Sequence, residues 1–333
     1  MGSPQSNHGR RTQTGAHRLS RGDNQTGRPR RRSTPSRVIL SMPASTLQFA
    51  MKQLILNADD FGLTRGVNQG IIRAHREGIL TSATLMATAP AFEEACALAR
   101  ANPDLGVGCH LVLVGGKSVL PSEEIPSLAD ENGRLPDSLV AFGVKVSLGQ
   151  IRTSEIEREV RAQIEKIRAA GIEPSHLDTH KHTHAHPVVM NVIGRVARDS
   201  GIKRVRKPIE RLMDSWNGAG LSKQLAAAAA VRVVAMEFEA ISRKYGLRAP
   251  DHFLGLALTG QLGPTALRRM IEKLPEGSTE IMLHPGVCDE DLARTGSRLQ
   301  QERQLELDGL IDPDVRRTVE KEGIQLLGYC GLN

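Results

Sequence analysis

The sequence has little cysteine, few aromatic residues and no long apolar run. Its four cysteines, Cys96, Cys109, Cys288 and Cys330, lie far apart and form no CxxC pair, which argues against a zinc ribbon or a disulfide framework. Free thiols in a reducing compartment are the simplest interpretation. No stretch of about 18 apolar residues is present, so no transmembrane helix is expected. One Trp and two Tyr offer few aromatic platforms for a long polysaccharide chain.

Acidic residues are almost absent from the first 50 positions. Residues 1–50 hold nine Arg, no Lys and the single acid Asp23, whereas 51–333 hold 35 basic and 36 acidic side chains. The folded part is therefore near neutral, and no nucleic-acid partner is expected. The tail is predicted to be disordered. A transit peptide or an arm for anionic surfaces are alternatives, but Met51 opens directly into a strand, which favours an upstream translation start.

Short apolar runs alternate with helical patterns from residue 52 onward. The predicted strands are 53–57, 81–88, 105–113, 175–179, 203–206, 253–258, 279–284 and 324–328. Predicted helices include 154–170, with a Ser154–Glu157 capping box, 187–200 and 312–323. This alternation predicts a single α/β domain at 51–333, a (β/α) barrel of TIM-like, distorted or incomplete type. A doubly wound open sheet would give the same pattern, and 211–250 is interpreted as an insertion at the active-site mouth.

Four groups of polar residues stand at the carboxyl ends of predicted strands, where parallel α/β folds bind ligands. They are Asp59 and Asp60 within 57–62, His110 within 106–111, the histidine-rich tract 176–186, and His284 within 280–286. Helix capping, a buried core histidine, an adventitious surface tract and a structural histidine before a turn are the respective structural alternatives. Strand alternation predicts that Asp178, His180 and His182 point the same way as long as the strand stays extended.

Together these groups predict one divalent metal ion held by a carboxylate and imidazoles, with an open position for water. Such an ion activates water and polarises a carbonyl, a second carboxylate takes the proton, and a histidine protonates the departing amine. Histidine ligation favours Zn²⁺, with Mg²⁺ and other divalent ions as alternatives. No Walker loop, dinucleotide GxGxxG or serine-hydrolase order follows a strand, so these classes have no support.

The runs NADDFG at 57–62, GCHL at 108–111, HLDTHKHTH at 176–184 and LHP at 283–285 resemble those of the YdjC-like carbohydrate deacetylases. The resemblance covers about 51–330 and implies removal of acetyl from N-acetylated amino sugars. The amino-acid sequence at 54–62, 205–208 and 280–286 is most similar to the hopanoid-biosynthesis-associated members known as HpnK. That similarity implies an N-acetylglucosaminyl group on a hopanoid headgroup as substrate, with chitooligosaccharides such as diacetylchitobiose as the alternative.

The resemblance also implies roles for single residues. The metal ligands are Asp60, His110 and His180, Asp59 is the general base, and His284 is the general acid; the roles of Asp59 and Asp60 are interchangeable on this reasoning. His182, His184 and Arg206 are candidates for substrate contacts, with second-shell roles for the histidines and an ordinary surface arginine as alternatives.

Other functions stay open at this stage. They are metal-dependent phosphoester hydrolysis, sugar isomerisation and non-catalytic metal storage. A cytoplasmic enzyme with peripheral access to membrane lipids fits the cysteines and the absence of a spanning segment. The sequence leaves homo-oligomerisation open.

Overall fold

Strands and helices alternate along the chain in this computed structural model, which describes residues 51–210 and 221–332, with side chains from 232 onward in the second range. The strands are β1 (Lys52–Phe61), β2 (Ser82–Leu85), β3 (Gly106–Leu111), β4 (Leu177–Thr179), β5 (His252–Leu254), β6 (Gly277–Leu283) and β7 (Gln325–Leu326). The α-helices are α1 (Arg65–Arg76), α2 (Phe92–Arg100), α3 (Leu139–Ser147), α4 (Thr153–Ala169), α5 (Pro187–Asp199), α6 (Leu221–Tyr245), α7 (Pro264–Glu272), α8 (Glu290–Arg294), α9 (Gln301–Ile311) and α10 (Pro313–Lys321). Short 3-10 helices lie at Ser122–Glu124, His180–Ala185 and Tyr329–Gly331. Over these ranges, none of the helices combines the length and the apolar character needed to span a bilayer.

All strand pairs are parallel, in the order β4-β3-β2-β1-β6-β5, with β7 beside the first residues of β1. Two further parallel bridges, Leu177–Val205 and Arg204–Arg248, continue the pairing from β4 through 203–206 to the segment before β5. The strand pairing thus runs across the sheet from β4 to β5 and returns from β5 to β4 through 203–206, which closes the barrel. Each of the two contacts of 203–206 is a single bridge. The expected α/β fold with a distorted barrel is confirmed, and an open doubly wound sheet is not found.

The apolar runs overestimate the length of most strands. The runs at 81–88, 105–113 and 253–258 contain only β2, β3 and β5, and 203–206 contributes single bridges rather than a strand. The extra residues are apolar for another reason: Met86, Ala87 and the stretch 112–114 are buried in loops that cover the end of the barrel. A run of apolar residues reports burial, which loops over a core share with strands.

The three predicted helices are present, but one predicted helix cap is not. Pro187 begins α5, and the Asp312 carboxylate accepts from the backbone N–H groups of Asp314 and Val315 at the start of α10. The capping box expected at Ser154 is wrong, because α4 begins one residue earlier and its N-cap is Arg152. Glu157 does not reach back to the helix start, since its carboxylate binds Arg161 and Arg195.

The insertion predicted around 211–250 is a helix over most of its described length. Residues 211–220, like the predicted tail at 1–50, lie outside the described residues. From 221 onward the chain forms α6, which packs against α5 and buries Phe238 and Ile241. Because α6 connects 203–206 to the segment before β5, it takes the place of a crossover helix between two barrel strands.

The contact between α5 and α6 depends on a glycine. A Cβ atom added at Gly194 would lie 2.4 Å from Cδ2 of Tyr245, the last residue of α6. We expect Gly194→Ala to lower the free energy of unfolding by about 1–3 kcal/mol, because an overpacked core must shift the ring. Urea denaturation measures this.

A matched control is Gly143→Ala in α3, where the nearest atom to the added Cβ would be 3.8 Å away. That variant should be unchanged or more stable by about 0.5–1 kcal/mol, since Ala favours a helix over Gly. Equal stability of the two variants would contradict the tight contact.

Candidate metal centre and active site

The three predicted metal ligands lie together at the carboxyl edge of the sheet. Oδ1 of Asp60 is 3.6 Å from Nε2 of His110 and 3.4 Å from Nδ1 of His180. This carboxylate oxygen is buried and has no hydrogen-bond partner among the described residues. A buried, unpartnered anionic oxygen between two imidazoles is costly unless a cation compensates it. The donor set of one oxygen and two nitrogens fits a divalent ion of the zinc type.

A turn after β1 presents Asp60 in a defined orientation. Asp60 has a left-handed backbone with φ of 66°, and Gly62 follows with φ of 98°. The buried side chain of Asn68 accepts from the backbone N–H of Gly62 at 2.8 Å and donates to the carbonyl of Ala91 at 3.1 Å. This side chain therefore fixes the turn to the chain before α2.

The other oxygen of Asp60 is occupied by an arginine. Nη2 of Arg303, on α9, donates to Oδ2 of Asp60 at 2.6 Å, and the arginine side chain is 1 % exposed. Burial raises the pKa of Asp60, but the charge of Arg303 and the nearby imidazole of His180 outweigh it and hold the pKa well below its usual value. Arg303 therefore leaves Oδ1 as the oxygen that faces the imidazoles. Sequence reasoning missed this residue, which is 243 positions from Asp60.

His110 is oriented by a second carboxylate. Its Nδ1–H donates to Oδ1 of Asp178 at 2.8 Å, and Thr84 donates to Oδ2 of the same group at 3.1 Å. Burial lowers the pKa of His110, but the charge of Asp178 outweighs it and raises the pKa to about 9. A carboxylate on Nδ1 fixes the ring so that Nε2 is the nitrogen that can bind a metal ion once the ion displaces its proton.

The histidine tract does not continue as a strand, so the predicted alternation of Asp178, His180 and His182 is wrong. β4 ends at Thr179, and Lys181 and His182 have left-handed φ angles of 55° and 54°. The chain turns because Thr179 Oγ1 accepts from the backbone N–H of His184 at 3.2 Å. This turn, instead of the strand pleat, brings His180 beside Asp60. Left-handed residues other than glycine cost free energy and concentrate at functional sites.

His182 and His184 have different surroundings. The ring of His182 packs edge-on against Phe253 at 5.7 Å between centroids, and its Nδ1 is buried without a partner in the described part of the chain. Burial, and then the charge of Arg206, lower the pKa of His182 to about 3, so its ring is neutral. His184 lies within hydrogen-bond distance of Thr179 Oγ1 at 2.6 Å and of the Arg206 carbonyl at 3.1 Å, and is fully buried. Both nitrogens of His184 are thus engaged within the protein, whereas Nδ1 of His182 is not.

Arg206 is neither a surface residue nor free to bind sugar hydroxyls. Its side chain is fully buried, and its guanidinium contacts the carboxylates of Asp59, Asp178 and Glu280 at 2.6–2.9 Å. The predicted substrate contact is wrong, because all five N–H groups of the guanidinium face these carboxylates. Arg206 instead positions Asp59. The buried Glu280, missed in the sequence, completes the set and accepts from the Tyr329 hydroxyl at 2.5 Å.

Asp59 is held as an anion beside the metal ligands. Its two oxygens accept from Arg206 at 2.6 and 2.7 Å, and Asn57 donates to Oδ1 at 3.0 Å. Burial raises the pKa of Asp59, but the Arg206 guanidinium outweighs it and holds the pKa far below the usual range. Asp59, His110 and Asp178 form a second possible metal group by proximity. The Arg206 guanidinium already occupies both carboxylates of that group, so the cation fits better at Asp60, His110 and His180.

His284 follows the strand next to Asp59. Leu283 pairs with Ala58 across β6 and β1, so His284 and Asp59 are the next residues on neighbouring strands. Glu306 on α9 accepts from the backbone N–H of His284 at 2.6 Å, and its Oε2 lies 3.9 Å from the ring Nδ1. Burial lowers the pKa of His284 and outweighs the charges of Asp59 and Asp60, which raise it. Glu306, which the sequence analysis did not single out, therefore fixes the backbone that carries this histidine.

The cluster makes a clear prediction for metal binding. We expect His110→Ala and His180→Ala each to weaken Zn²⁺ affinity by at least about 100-fold, because each removes one of three ligands. The control is His186→Ala in the same tract, whose Nε2 contacts Ser147 at 2.9 Å instead of the cluster. Isothermal titration with Zn²⁺ gives all three affinities, and an equal loss in His186→Ala would refute the assignment.

The contact between Arg303 and Asp60 generates a second prediction. Arg303→Lys should weaken Zn²⁺ affinity by about 10- to 100-fold while the chain stays folded, because a lysine cannot present the same planar donors to Oδ2. Arg268→Lys, at a surface position of α7 where the side chain is 43 % exposed, is the control. Competition with a chromogenic chelator measures both, and equal affinities would show that the arginine does not orient the ligand.

The chain as a whole is similar to known proteins. A family model described as YdjC-like protein matches residues 53–321. A carbohydrate deacetylase of Brevibacillus brevis is 36% identical over 284 residues, which cover 84% of this chain and 99% of the relative. One from Geobacillus stearothermophilus is 37% identical over 279 residues, covering 83% and 96%.

A solved structure is similar as well. It is that of a proposed cellobiose-phosphate cleavage protein of Enterococcus faecalis V583, with 28% identity and a TM-score of 0.68. The match covers 84% of this chain and 98% of that one.

Proposed function

This chain belongs to the YdjC-like protein family, and from that premise we propose that it is a metal-dependent carbohydrate deacetylase, an amide hydrolase that removes acetyl from an N-acetylglucosaminyl group. The observation that carries the proposal is the unpartnered Oδ1 of Asp60 between two imidazoles, beside an Asp59 held as an anion. Asp60, His110 and His180 would hold the ion. A divalent ion bound there supplies a Lewis acid that polarises the acetyl carbonyl and makes water more acidic.

The protein side chains provide the proton transfers. Asp59 is the general base: its carboxylate takes a proton from the attacking water, and Arg206 keeps that carboxylate in place. His284 is the general acid, which protonates the nitrogen of the amino sugar as it leaves. Its neutral ring, favoured by burial, first needs a proton, and the water proton taken up by Asp59 is a source on the neighbouring strand end. The products are acetate and a free amino sugar.

The assignment of the two aspartates follows from their partners. Both oxygens of Asp59 are bound by Arg206, whereas one oxygen of Asp60 is free and faces the imidazoles. These contacts support Asp60 as ligand and Asp59 as base, a choice that the sequence left open. The metal identity stays open between Zn²⁺, which the two imidazoles favour, and Mg²⁺.

For the substrate we infer a single amino sugar on a lipid headgroup, of the hopanoid type, with diacetylchitobiose as the alternative. The scarcity of aromatic residues supports a short substrate over a polymer. Leu212, Met213 and Trp216 are apolar residues of the insertion predicted at the active-site mouth, and they lie outside the described residues. Phe253 is buried beside His182. A cytoplasmic enzyme that reaches the membrane peripherally accords with four free cysteines.

Phosphoester hydrolysis is the second candidate, since the similar Enterococcus protein is described as a proposed cellobiose-phosphate cleavage protein, which links this fold to a phosphorylated sugar. Two-metal phosphoesterases use carboxylates that bridge their ions. In this chain the additional carboxylates, Asp59, Asp178 and Glu280, are all engaged by the Arg206 guanidinium, which leaves them poorly placed to bridge a second ion. The geometry therefore favours one ion and the deacetylase.

The test is acetate release from diacetylchitobiose and from an N-acetylglucosaminyl hopanoid in vesicles, with Zn²⁺-loaded enzyme. Asp59→Asn should lower kcat by about 10²–10⁴ with Zn²⁺ affinity retained, because it removes the base and keeps the ligands. His186→Ala should match the wild type. Release of phosphate but not acetate, from a phosphorylated amino sugar, would replace the proposal by the phosphoesterase, and full activity of Asp59→Asn would remove Asp59 as base.

A further inference from the structure

Tyr329 is a buried tyrosine whose contacts lead to the proposed catalytic base. It begins the 3-10 helix Tyr329–Gly331, and its side chain is fully buried. Its hydroxyl donates to Oε2 of Glu280 at 2.5 Å, while Nε of Arg206 donates to Oε1 of the same carboxylate at 2.9 Å. Arg206 also donates to both oxygens of Asp59 at 2.6 and 2.7 Å. Tyr329, Glu280, Arg206 and Asp59 thus form one hydrogen-bonded series, here called the buried network.

The hydroxyl of Tyr329 binds the oxygen of Glu280 that the guanidinium does not reach. Arg206 is shared among the carboxylates of Asp59, Asp178 and Glu280, and its contacts with Glu280 are to Oε1. Burial raises the pKa of Tyr329 well above its ordinary value, so the hydroxyl keeps its proton and donates to Oε2. Without this donor, a buried carboxylate oxygen would be left unsatisfied, which is costly. The guanidinium would then be drawn toward Glu280 and away from Asp59.

Stacking holds the ring of Tyr329 in place. The imidazole of His176 lies against it, with 3.5 Å between ring centroids and 7° between their planes. Gly108 of β3 lies directly beside that imidazole, since a Cβ atom added there would be 2.4 Å from its Cε1. Burial, and then the charge of Arg206, lower the pKa of His176 well below its ordinary value, so the stacked imidazole is neutral. A phenol locked by packing presents its hydroxyl at one position, as the support of an active site requires.

The backbone of the segment 325–332 is attached to the two elements that carry the rest of the buried network. The N–H of Leu327 donates to the carbonyl of Leu54 in β1 at 3.0 Å, and β1 also carries the proposed base. The guanidinium of Arg204 donates to two carbonyls of the segment at 2.8 and 3.2 Å. Arg206 follows Arg204 by two positions. The segment is therefore fixed to both elements whose side chains it contacts.

A tyrosine that only fills space would be buried in the same way. Buried tyrosines usually find a hydrogen-bond partner, and this alone assigns no role. In this protein the other oxygen of the partner binds the guanidinium that holds Asp59, so the hydroxyl and the base belong to one network. Phenylalanine would fill the same space and leave that network incomplete. The two roles therefore give different expectations for one substitution.

We propose that Tyr329 is a positioning residue for Asp59, which acts through Glu280 and Arg206 to hold the carboxylate of the base in its working orientation. Tyr329 and Glu280 contact no substrate in this scheme. The effect on the reaction rests on the proposed deacetylase function, in which Asp59 is the base. The coupling of the four side chains rests on their contacts alone, so it is tested separately.

Carbon-13 NMR tests the coupling without any measurement of activity. The sequence has two tyrosines, Tyr245 and Tyr329, so the full-length chain labelled at tyrosine Cζ gives two signals, and Tyr245→Phe assigns them. A chelator in every sample keeps the metal occupancy equal. Asp59→Asn should shift the Tyr329 signal and leave the Tyr245 signal in place, because the loss of one anion moves the guanidinium toward Glu280.

Asp60→Asn is the matched control, the same substitution at the neighbouring residue, whose carboxylate binds Arg303 instead of Arg206. It should leave the Tyr329 signal unchanged. An unmoved Tyr329 signal in Asp59→Asn, or an equal shift in both variants, would overturn the proposal.

Tyr329→Phe tests the consequence for the reaction. With Zn²⁺-loaded enzyme and diacetylchitobiose, kcat should fall by about 10- to 100-fold, because a misplaced base loses rate. KM and Zn²⁺ affinity should remain those of the wild type, since neither the ligands nor the substrate contacts change. Tyr245→Phe is the control and should keep full kcat, because its hydroxyl lies 3.5 Å from Asn191, outside the buried network.

The same substitution in an Asp59→Asn background separates positioning from a general loss of structure. There Tyr329→Phe should cause little further loss, because effects that pass through one group are not additive. An equal loss in both backgrounds, or full kcat in Tyr329→Phe alone, would rule out the positioning role. Absence of acetate with the wild type would refute the deacetylase. In that case, or if Tyr329→Phe does not fold, the NMR comparison, which leaves Tyr329 intact, still decides the coupling.

Discussion

The guanidinium of Arg206 is the buried charge on which the candidate active site depends. It contacts carboxylates from β1, β4 and β6, and it belongs to the segment that connects β4 to β5 by single bridges. Removing one partner of a buried pair costs about 3–5 kcal/mol, because the other charge stays buried. Three carboxylates around one guanidinium leave an excess of negative charge beside Asp60 and its own partner Arg303. The divalent cation proposed at Asp60, His110 and His180 would balance this charge.

The sequence groups the candidate metal ligands because parallel strands end at one edge of the sheet, and the family resemblance implies which of the grouped residues bind the ion. Asp60, His110 and His180 are each near a strand end, and knowledge of the strand order was not needed to group them. The partners that orient them could not be found in this way. Arg303 and Glu306 come from a helix more than 200 residues after Asp60, where an inward-facing charged pair resembles an ordinary polar face. Arg206 was wrongly predicted to contact the substrate, because its burial depends on three carboxylates that are distant in sequence.

Local backbone geometry accounts for the other departures from the sequence predictions. Strand alternation assigned His180 and His182 to one face, but a hydroxyl of Thr179 turns the chain and sets Lys181 and His182 in left-handed conformations. Apolar runs identified the barrel strands and also included buried loop residues, so the strands came out too long. The helices were predicted more accurately, because their spacing of three and four residues occurs in no other element.

The barrel wall between β4 and β5 is joined by two single bridges, Leu177–Val205 and Arg204–Arg248, and this limits how the barrel can change over evolution. Where backbone pairing is this sparse, ion pairs between side chains supply much of the closure, and those ion pairs end on the proposed catalytic base. Enzymes commonly gain stability when a strained catalytic group is lost. In this protein the same loss loosens a wall of the barrel. Selection for folding alone therefore tends to retain the catalytic residues, even in descendants that no longer need their chemistry.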